Sequence, residues 1–320
     1  MRIVATRPIK QVCWLSLLLL LSFSPAGAQH RIVFTPQWTA QAEFAGYYVA
    51  KENGFYREAG LDVEIVHPSL SQPVIDRVLK GECDATTLQL CQALEVIDKG
   101  VPLVNLLQPS MNDGTVIIAH PGKDPLAKGS RVGLSCMESG HLVKYLNKKE
   151  NLNYQWITAA MPVNLFLAGA VDAISGVSYC EVFELMQAGI ELNKDCVYSF
   201  ADHGYNIQGE GLYVTFDYFR KHRHEAHNFA KATRRGWEWV AQHPDEAIEI
   251  VSKYIKADRI ATNRELQRLM LKEVLNLQID RKTGKREFLL RPAIVKQACR
   301  LMVESGLLSR EIDYLELIER

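Results

Sequence analysis

Leu79-Lys80-Gly81-Glu82-Cys83-Asp84-Ala85 recurs as Leu167-Ala168-Gly169-Ala170-Val171-Asp172-Ala173, with leucine, glycine, aspartate and alanine all offset by 88 residues. In each copy a helix ends at a glycine and a short loop enters a buried strand through Asp-Ala. A unit that occurs twice suggests two lobes of like construction. Four matched positions can also coincide by chance, so the surrounding pattern has to carry the reading.

Around the first copy, short apolar runs alternate with helical stretches punctuated by glycine. Arg31-Ile32-Val33-Phe34 predicts a first strand, 44–52 a helix stopped by Gly54, and the alternating run 61–66 a second strand. A helix over 74–80, a strand over 83–86, a helix over 88–98 and a strand over 103–107 follow. Around the second copy, strands over 131–134 and 196–200 and a helix over 141–148 repeat the theme. Strands alternating with helices imply an α/β fold of two lobes, each a mainly parallel sheet flanked by helices. The expected division gives residues 29–118 and 212–320 to lobe one and 119–211 to lobe two. Lobe two then begins after the strand at 115–119, and the chain returns through a strand at 212–215. The remaining helices, over 223–242, 245–255, 263–276 and 292–306, form a C-terminal tail expected to pack on lobe one.

The first residues read as an address. Arg2, Arg7 and Lys10 precede an apolar run from Val12 to Leu21, and Ala26-Gly27-Ala28 follows. That order is a secretory signal peptide cleaved after Ala28, with an apolar run shorter than the roughly 20 residues of a membrane span. The expected location is the periplasm. The whole chain balances 37 basic against 37 acidic residues, and removal of residues 1–28 leaves 34 against 37. A slightly acidic chain lacks the basic excess of a nucleic-acid binder. Six cysteines remain, Cys83, Cys91, Cys136, Cys180, Cys196 and Cys299. They permit disulfides in an oxidising compartment or serve as small buried apolar residues.

Catalytic signatures are missing. Gly209-Glu210-Gly211 lacks the third glycine of a dinucleotide loop, and neither a phosphate-binding G-x-x-x-x-G-K-[ST] nor a G-x-S-x-G elbow occurs. His222-Arg223-His224-Glu225-Ala226-His227 lacks the H-E-x-x-H spacing and reads as a solvated helix start. No enzyme activity, cofactor or metal is expected. Binding chemistry is present instead. Open α/β sheets take ligands beyond the C-terminal ends of their strands, where lobe one presents Trp38, Gln41 and Tyr48, then Ser69, then Thr86 and Thr87. Lobe two presents Ser135, Glu138, Tyr179, Glu181 and His203 at equivalent places. The two edges are expected to face each other across a cleft.

The run from Phe34-Thr35-Pro36-Gln37-Trp38-Thr39-Ala40-Gln41 through Phe44-Ala45-Gly46-Tyr47-Tyr48-Val49-Ala50-Lys51-Glu52-Asn53-Gly54-Phe55-Tyr56 to Gly60-Leu61-Asp62-Val63 resembles the periplasmic substrate-binding proteins that include thiamine-pyrimidine-precursor and aliphatic-sulfonate binders. The likeness continues through Lys80 to Ala85, Val101-Pro102-Leu103, Gly169 to Ala173, and Ala232-Thr233-Arg234-Arg235-Gly236-Trp237-Glu238-Trp239 followed by His243-Pro244-Asp245-Glu246-Ala247. It implies a monomer of two hinged lobes that closes on a small molecule and delivers it to the permease and ATPase of an ABC importer. The same superfamily contains a fungal thiamine-pyrimidine synthase, whose cofactor-binding lysine and substrate histidine fall, by alignment through Asp84, on Leu88 and Gln92. Its cysteine-rich run falls on residues 204–211, which hold no cysteine. The resemblance therefore favours a binder. The pyrimidine-precursor binders place an acid where Glu181 stands, and a carboxylate can accept paired N–H bonds from an aminopyrimidine while Trp38 or Tyr48 stacks on its face. A sulfonate or similar anion is the alternative ligand, and a receptor reporting to a membrane histidine kinase is the alternative role.

Overall fold

The computed structural model describes residues 29–69, 71–135 and 140–318, folded around two five-stranded sheets. The expected signal peptide at 1–28, Glu138 and Cys136 lie outside the described residues. The first sheet contains β1 (His30–Thr35), β2 (Leu61–Ile65), β3 (Ala85–Gln89), β4 (Leu103–Leu107) and β10 (Glu210–Thr215), in the order β2-β1-β3-β10-β4. The second contains β5 (Thr115–Ala119), β6 (Arg131–Ser135), β7 (Gln155–Ala159), β8 (Ala173–Val177) and β9 (Val197–Ser199), in the order β7-β6-β8-β5-β9. In each sheet one strand runs against the others: β10 is antiparallel to β3 and β4, and β5 is antiparallel to β8 and β9. The sheets are thus mainly parallel, as the alternating pattern predicts.

The helices are α1 (Ala45–Glu52), α2 (Phe55–Glu58), α3 (Val74–Leu79), α4 (Leu90–Asp98), α5 (His141–Lys149), α6 (Pro162–Leu167), α7 (Glu181–Gln187), α8 (Phe216–Lys221), α9 (Arg223–Gln242), α10 (Pro244–Ala257), α11 (Arg264–Leu277), α12 (Pro292–Ser305) and α13 (Tyr314–Leu317). The repeated turn occupies equivalent places in the two lobes. It joins α3 to β3 and α6 to β8, and Gly81 and Gly169 share the same left-handed φ of 68°. The chemistry common to the two copies is a clamp on the neighbouring strand. Asp84 Oδ2 accepts the Val33 N–H at 2.8 Å while its own N–H donates to the Val33 carbonyl, and Asp172 does the same with Arg131.

Two boundaries differ from the sequence reading. Strand β5 was expected to close lobe one, yet it pairs with β8 and β9 inside the second sheet. An apolar run says that a strand is buried but not in which sheet, because partners are chosen by packing across the chain. The return strand β10 begins at Glu210, two residues before the expected start. Two crossovers, 108–114 and 200–209, connect the lobes. They are joined to each other: Gln108 Nε2 donates to the carbonyls of Gly209 and Glu210, and Asn206 Nδ2 donates to Asn112 Oδ1.

The C-terminal helices dress lobe one and also reach lobe two. Helix α9 buries Ala226, Phe229, Ala230, Thr233, Trp237 and Val240, a one-sided stripe that packs on α1. The helices approach closely because glycines face each other. A Cβ on Gly236 would stand 2.1 Å from the Gly46 carbonyl oxygen, and one on Gly46 would meet the Trp237 ring at 2.3 Å. Further on, α11 touches α7, and α12 lies between α4 and α5. Leu94 and Ile97 of α4, Tyr145 and Leu146 of α5 and Val295 and Met302 of α12 consequently share one apolar cluster. Cys83, Cys91, Cys196 and Cys299 are buried free thiols, the small-apolar role anticipated as one option, and Cys180 is buried as well.

Candidate functional site in the cleft between the lobes

The loop that follows β1 is held down before it can offer anything to a ligand. The Gln37 N–H donates to Thr87 Oγ1 at 2.9 Å, Thr86 Oγ1 donates to the Thr35 carbonyl at 2.8 Å, and the Ala42 N–H donates to Gln267 Oε1 of α11 at 2.7 Å. Burial keeps His67 below its ordinary pKa, hence neutral. Its Nδ1–H donates to the Trp38 carbonyl at 2.6 Å, which leaves Nε2 to accept from the Tyr48 hydroxyl at 2.8 Å. These bonds fix the loop's backbone and leave Trp38 and Gln41 on the cleft side.

Opposite this loop stands lobe two. Ser135 at the end of β6, residues 160–163, and Cys180, Glu181 and Glu184 at the start of α7 face Trp38–Gln41 and residues 259–262 of the α10–α11 connection. They enclose a cavity of about 340 Å³, within the range of small-molecule sites. Glu181 Oε2 accepts the Val177 N–H at 2.8 Å, which folds the side chain over Gly176; a Cβ there would lie 2.8 Å from the glutamate. Glu184 is raised above the usual carboxylate range by burial. Arg259, exposed, is the cation along this cavity.

Deeper in, a second chamber of about 20 Å³ is lined by Gln37, Trp38, Gln41, Glu43, Gln92, Tyr179 and Glu181 among others. Glu43 is the centre of a buried polar knot. Its carboxylate accepts from Gln37 Nε2 at 2.6 Å, Gln41 Nε2 at 2.5 Å and, across the cleft, the Tyr179 hydroxyl at 2.8 Å. Glu210 lies against it and also accepts from the Tyr47 hydroxyl at 3.2 Å. Burial raises both acids, and the charge of Glu43 raises Glu210 further, so Glu210 keeps its proton and donates it to Glu43. The three neutral donors on Glu43 make it the better seat for the negative charge.

Further bonds hold the lobes together: His141 Nε2 to Glu95 at 2.9 Å, Ser178 Oγ to Glu273 at 3.0 Å and Asn263 Nδ2 to Gln187 at 2.7 Å. The cleft is closed in this conformation.

Of the residues singled out from sequence, Trp38, Gln41, Ser135, Tyr179 and Glu181 come together here. The others do not. Tyr48 is fully buried and stacks on Tyr254 at 4.0 Å, so it supports the loop rather than facing a ligand. Thr86 and Thr87 are buried in loop-anchoring bonds. Ser69 is exposed and bonded to Ser71, and His203 stacks on Tyr198 with Nδ1 donating to the Ser199 carbonyl. Neither lines the cleft cavities. Leu88 is buried in β3, and Gln92 Oε1 accepts the Gln89 N–H at the start of α4. Sequence reasoning missed Glu43, Glu184, Glu210 and Arg259. Glu43 sits within the aromatic stretch that drew attention, and Glu210 is the middle residue of the glycine pair weighed as a failed nucleotide loop and within the 204–211 run that holds no cysteine. Among the described residues no group of three His, Cys, Asp or Glu could hold a metal, and no helix is long and apolar enough to cross a membrane.

The comparisons with known proteins agree with this architecture. The formylaminopyrimidine-binding protein of Halalkalibacterium halodurans is 24% identical over 228 residues, covering 67% of this chain and 67% of its own. The 4-amino-5-hydroxymethyl-2-methylpyrimidine phosphate synthase of Candida albicans is 24% identical over 236 residues, covering 68% and 69%. The crystal structure of the periplasmic aliphatic sulphonate binding protein SsuA from Escherichia coli superposes with a TM-score of 0.65 at 14% identity, over 90% of this chain and 97% of that one. The protein therefore has the two-lobed fold of periplasmic binding proteins. With residues 41–247 matching the family described as NMT1/THI5 like, the chain belongs to that family.

Proposed function

We propose that the protein is the extracytoplasmic solute-binding component of an ABC importer and that its ligand is a small amino-substituted heteroaromatic, such as a thiamine pyrimidine precursor. The observation that carries this reading is the cleft cavity itself, which sets an indole, Trp38, against the carboxylates of Glu181 and Glu184. An aromatic ring stacked on Trp38 with amino N–H groups directed at Glu181 satisfies both walls. Two carboxylates repel an anion. The relative named as a formylaminopyrimidine-binding protein supports the same ligand class. The protein acts as a monomer that closes on its solute and passes it to a permease and ATPase.

A thermal-shift screen tests the ligand class with 4-amino-5-hydroxymethyl-2-methylpyrimidine, formylaminopyrimidine, ethanesulfonate and nitrate. A ligand at 100 times its Kd stabilises the folded state by about 2.7 kcal/mol, and only the pyrimidines are expected to raise the midpoint. A shift from ethanesulfonate alone would favour an anion binder, the reading for which Arg259 at the cavity speaks.

A further inference from the structure

We propose that the buried Glu43–Glu210 pair is the subsite that recognises an amine or ammonium group of the solute, at the place that the Tyr179 hydroxyl takes in this closed conformation. This rests on the reading of the cleft as a solute site and adds which chemistry the deep end selects.

The cavities form a series. The 340 Å³ cavity and the 20 Å³ chamber share Trp38, Gln41, Cys180 and Glu181, and a further space of about 10 Å³ shares Glu43 and Tyr179 with that chamber. Glu43 and Tyr179 therefore stand at the inner end of the path from the cleft. Among the described residues no Lys, Arg or His is bonded to Glu43: its partners are Gln37, Gln41, Tyr179 and Glu210. A buried carboxylate held by neutral donors alone is retained at a cost in desolvation, which an incoming cation offsets.

Unused hydrogen-bonding capacity points the same way. Gln37, 8% exposed, commits its amide N–H to Glu43 and leaves Oε1 without a donor. Gln278, 1% exposed, lines the 10 Å³ space beside Glu43 and Glu210 with neither amide atom bonded. An ammonium group brings three N–H donors and one positive charge. Glu43 and the free Gln37 oxygen can accept two of them, and the positive charge offsets the burial that raises both acids. A water molecule fits the 10 Å³ space as well, but supplies no charge. Among the described residues Tyr179 is the one donor on Glu43 that comes from lobe two, so it is the one that lobe opening withdraws.

The test is calorimetric titration of the mature chain at neutral pH with two compounds that differ in this group alone, 4-amino-5-aminomethyl-2-methylpyrimidine and its 5-hydroxymethyl counterpart. The ammonium compound should bind about tenfold tighter or more, the size expected for a hydrogen bond to a charged group. Glu43→Gln should reduce that ratio to near one. Tyr179→Phe, which removes the competing hydroxyl, should tighten the ammonium compound. Equal affinity of the two compounds in the wild type, or a ratio that survives Glu43→Gln, overturns the proposal while leaving the solute site standing. Weaker ammonium binding in Tyr179→Phe overturns the occupancy by tyrosine. Failure of both compounds to bind overturns this proposal and the pyrimidine reading together.

Discussion

Asp113→Asn should make the stability of this protein less sensitive to pH. Asp113 lies in the first crossover between the lobes, where its N–H donates to Asn206 Oδ1 at 2.8 Å and its Oδ1 accepts the Thr115 N–H at 2.6 Å. It lines a cavity of about 60 Å³ with the Cys91 thiol, itself raised by burial, and with His141, which is bound to Glu95. Burial pushes the Asp113 carboxyl up to about 7, against roughly 3.9 in an unfolded chain. Between those values the folded state binds the extra proton, so the stability this group contributes is complete below about pH 4 and is lost as pH rises towards 7. At about 1.4 kcal/mol per unit, the loss between pH 5 and pH 8 is roughly 2 to 3 kcal/mol. Asparagine keeps an acceptor for Thr115 and carries no charge at any pH. Urea unfolding followed by circular dichroism at those two pH values should show the variant gaining on the wild type by that amount. A difference that stays constant with pH would refute the assignment of a neutral buried acid at this crossover.

Gly236→Ala drives a methyl group into the Gly46 backbone oxygen, which no rotamer can relieve. The variant should lose about 3 kcal/mol or more as α9 lifts from α1, and an unchanged melting temperature would contradict the close helix crossing. Trp38→Ala should weaken ligand binding in titration calorimetry and also lower the melting temperature of the free protein, since the ring borders the cleft on one side and packs against the lobe-one core on the other, and unchanged affinity would remove Trp38 from the site. Tyr48→Phe should lower stability and leave affinity unchanged. Losing the bond to His67 costs about 1 kcal/mol of stability, and measurable loss of affinity beyond that of a wild-type control would return Tyr48 to the site.

The architecture was legible because it rests on local chemistry. Gly81 and Gly169 take a left-handed φ that the sequence marks with glycine, and Asp84 and Asp172 each bond the strand beside them. The opening stretch 34–63 carries its family pattern within one continuous segment. The sheet membership of β5 was not legible, since Val116, Ile117 and Ile118 would be equally apolar in either sheet. The site was legible by position more than by orientation. Trp38 and Tyr48 share one stretch, yet the cleft takes Trp38 while the turn into α1 sends Tyr48 into the core against Tyr254.

The sequence by itself determined two α/β units, their order, the repeated turn and the strand ends from which a ligand could be held, because each is written in spacing and in residues with special backbone or capping roles. Only the tertiary structure decided that Glu43 of one crossing of the chain and Glu210 of another, 167 positions apart, become neighbours sharing a proton, and that Tyr179 from the other lobe completes them. The physical reason is that burial, charge coupling and the choice of strand partner are properties of residues distant in sequence. They exist only once the lobes have packed and water has been excluded from between them.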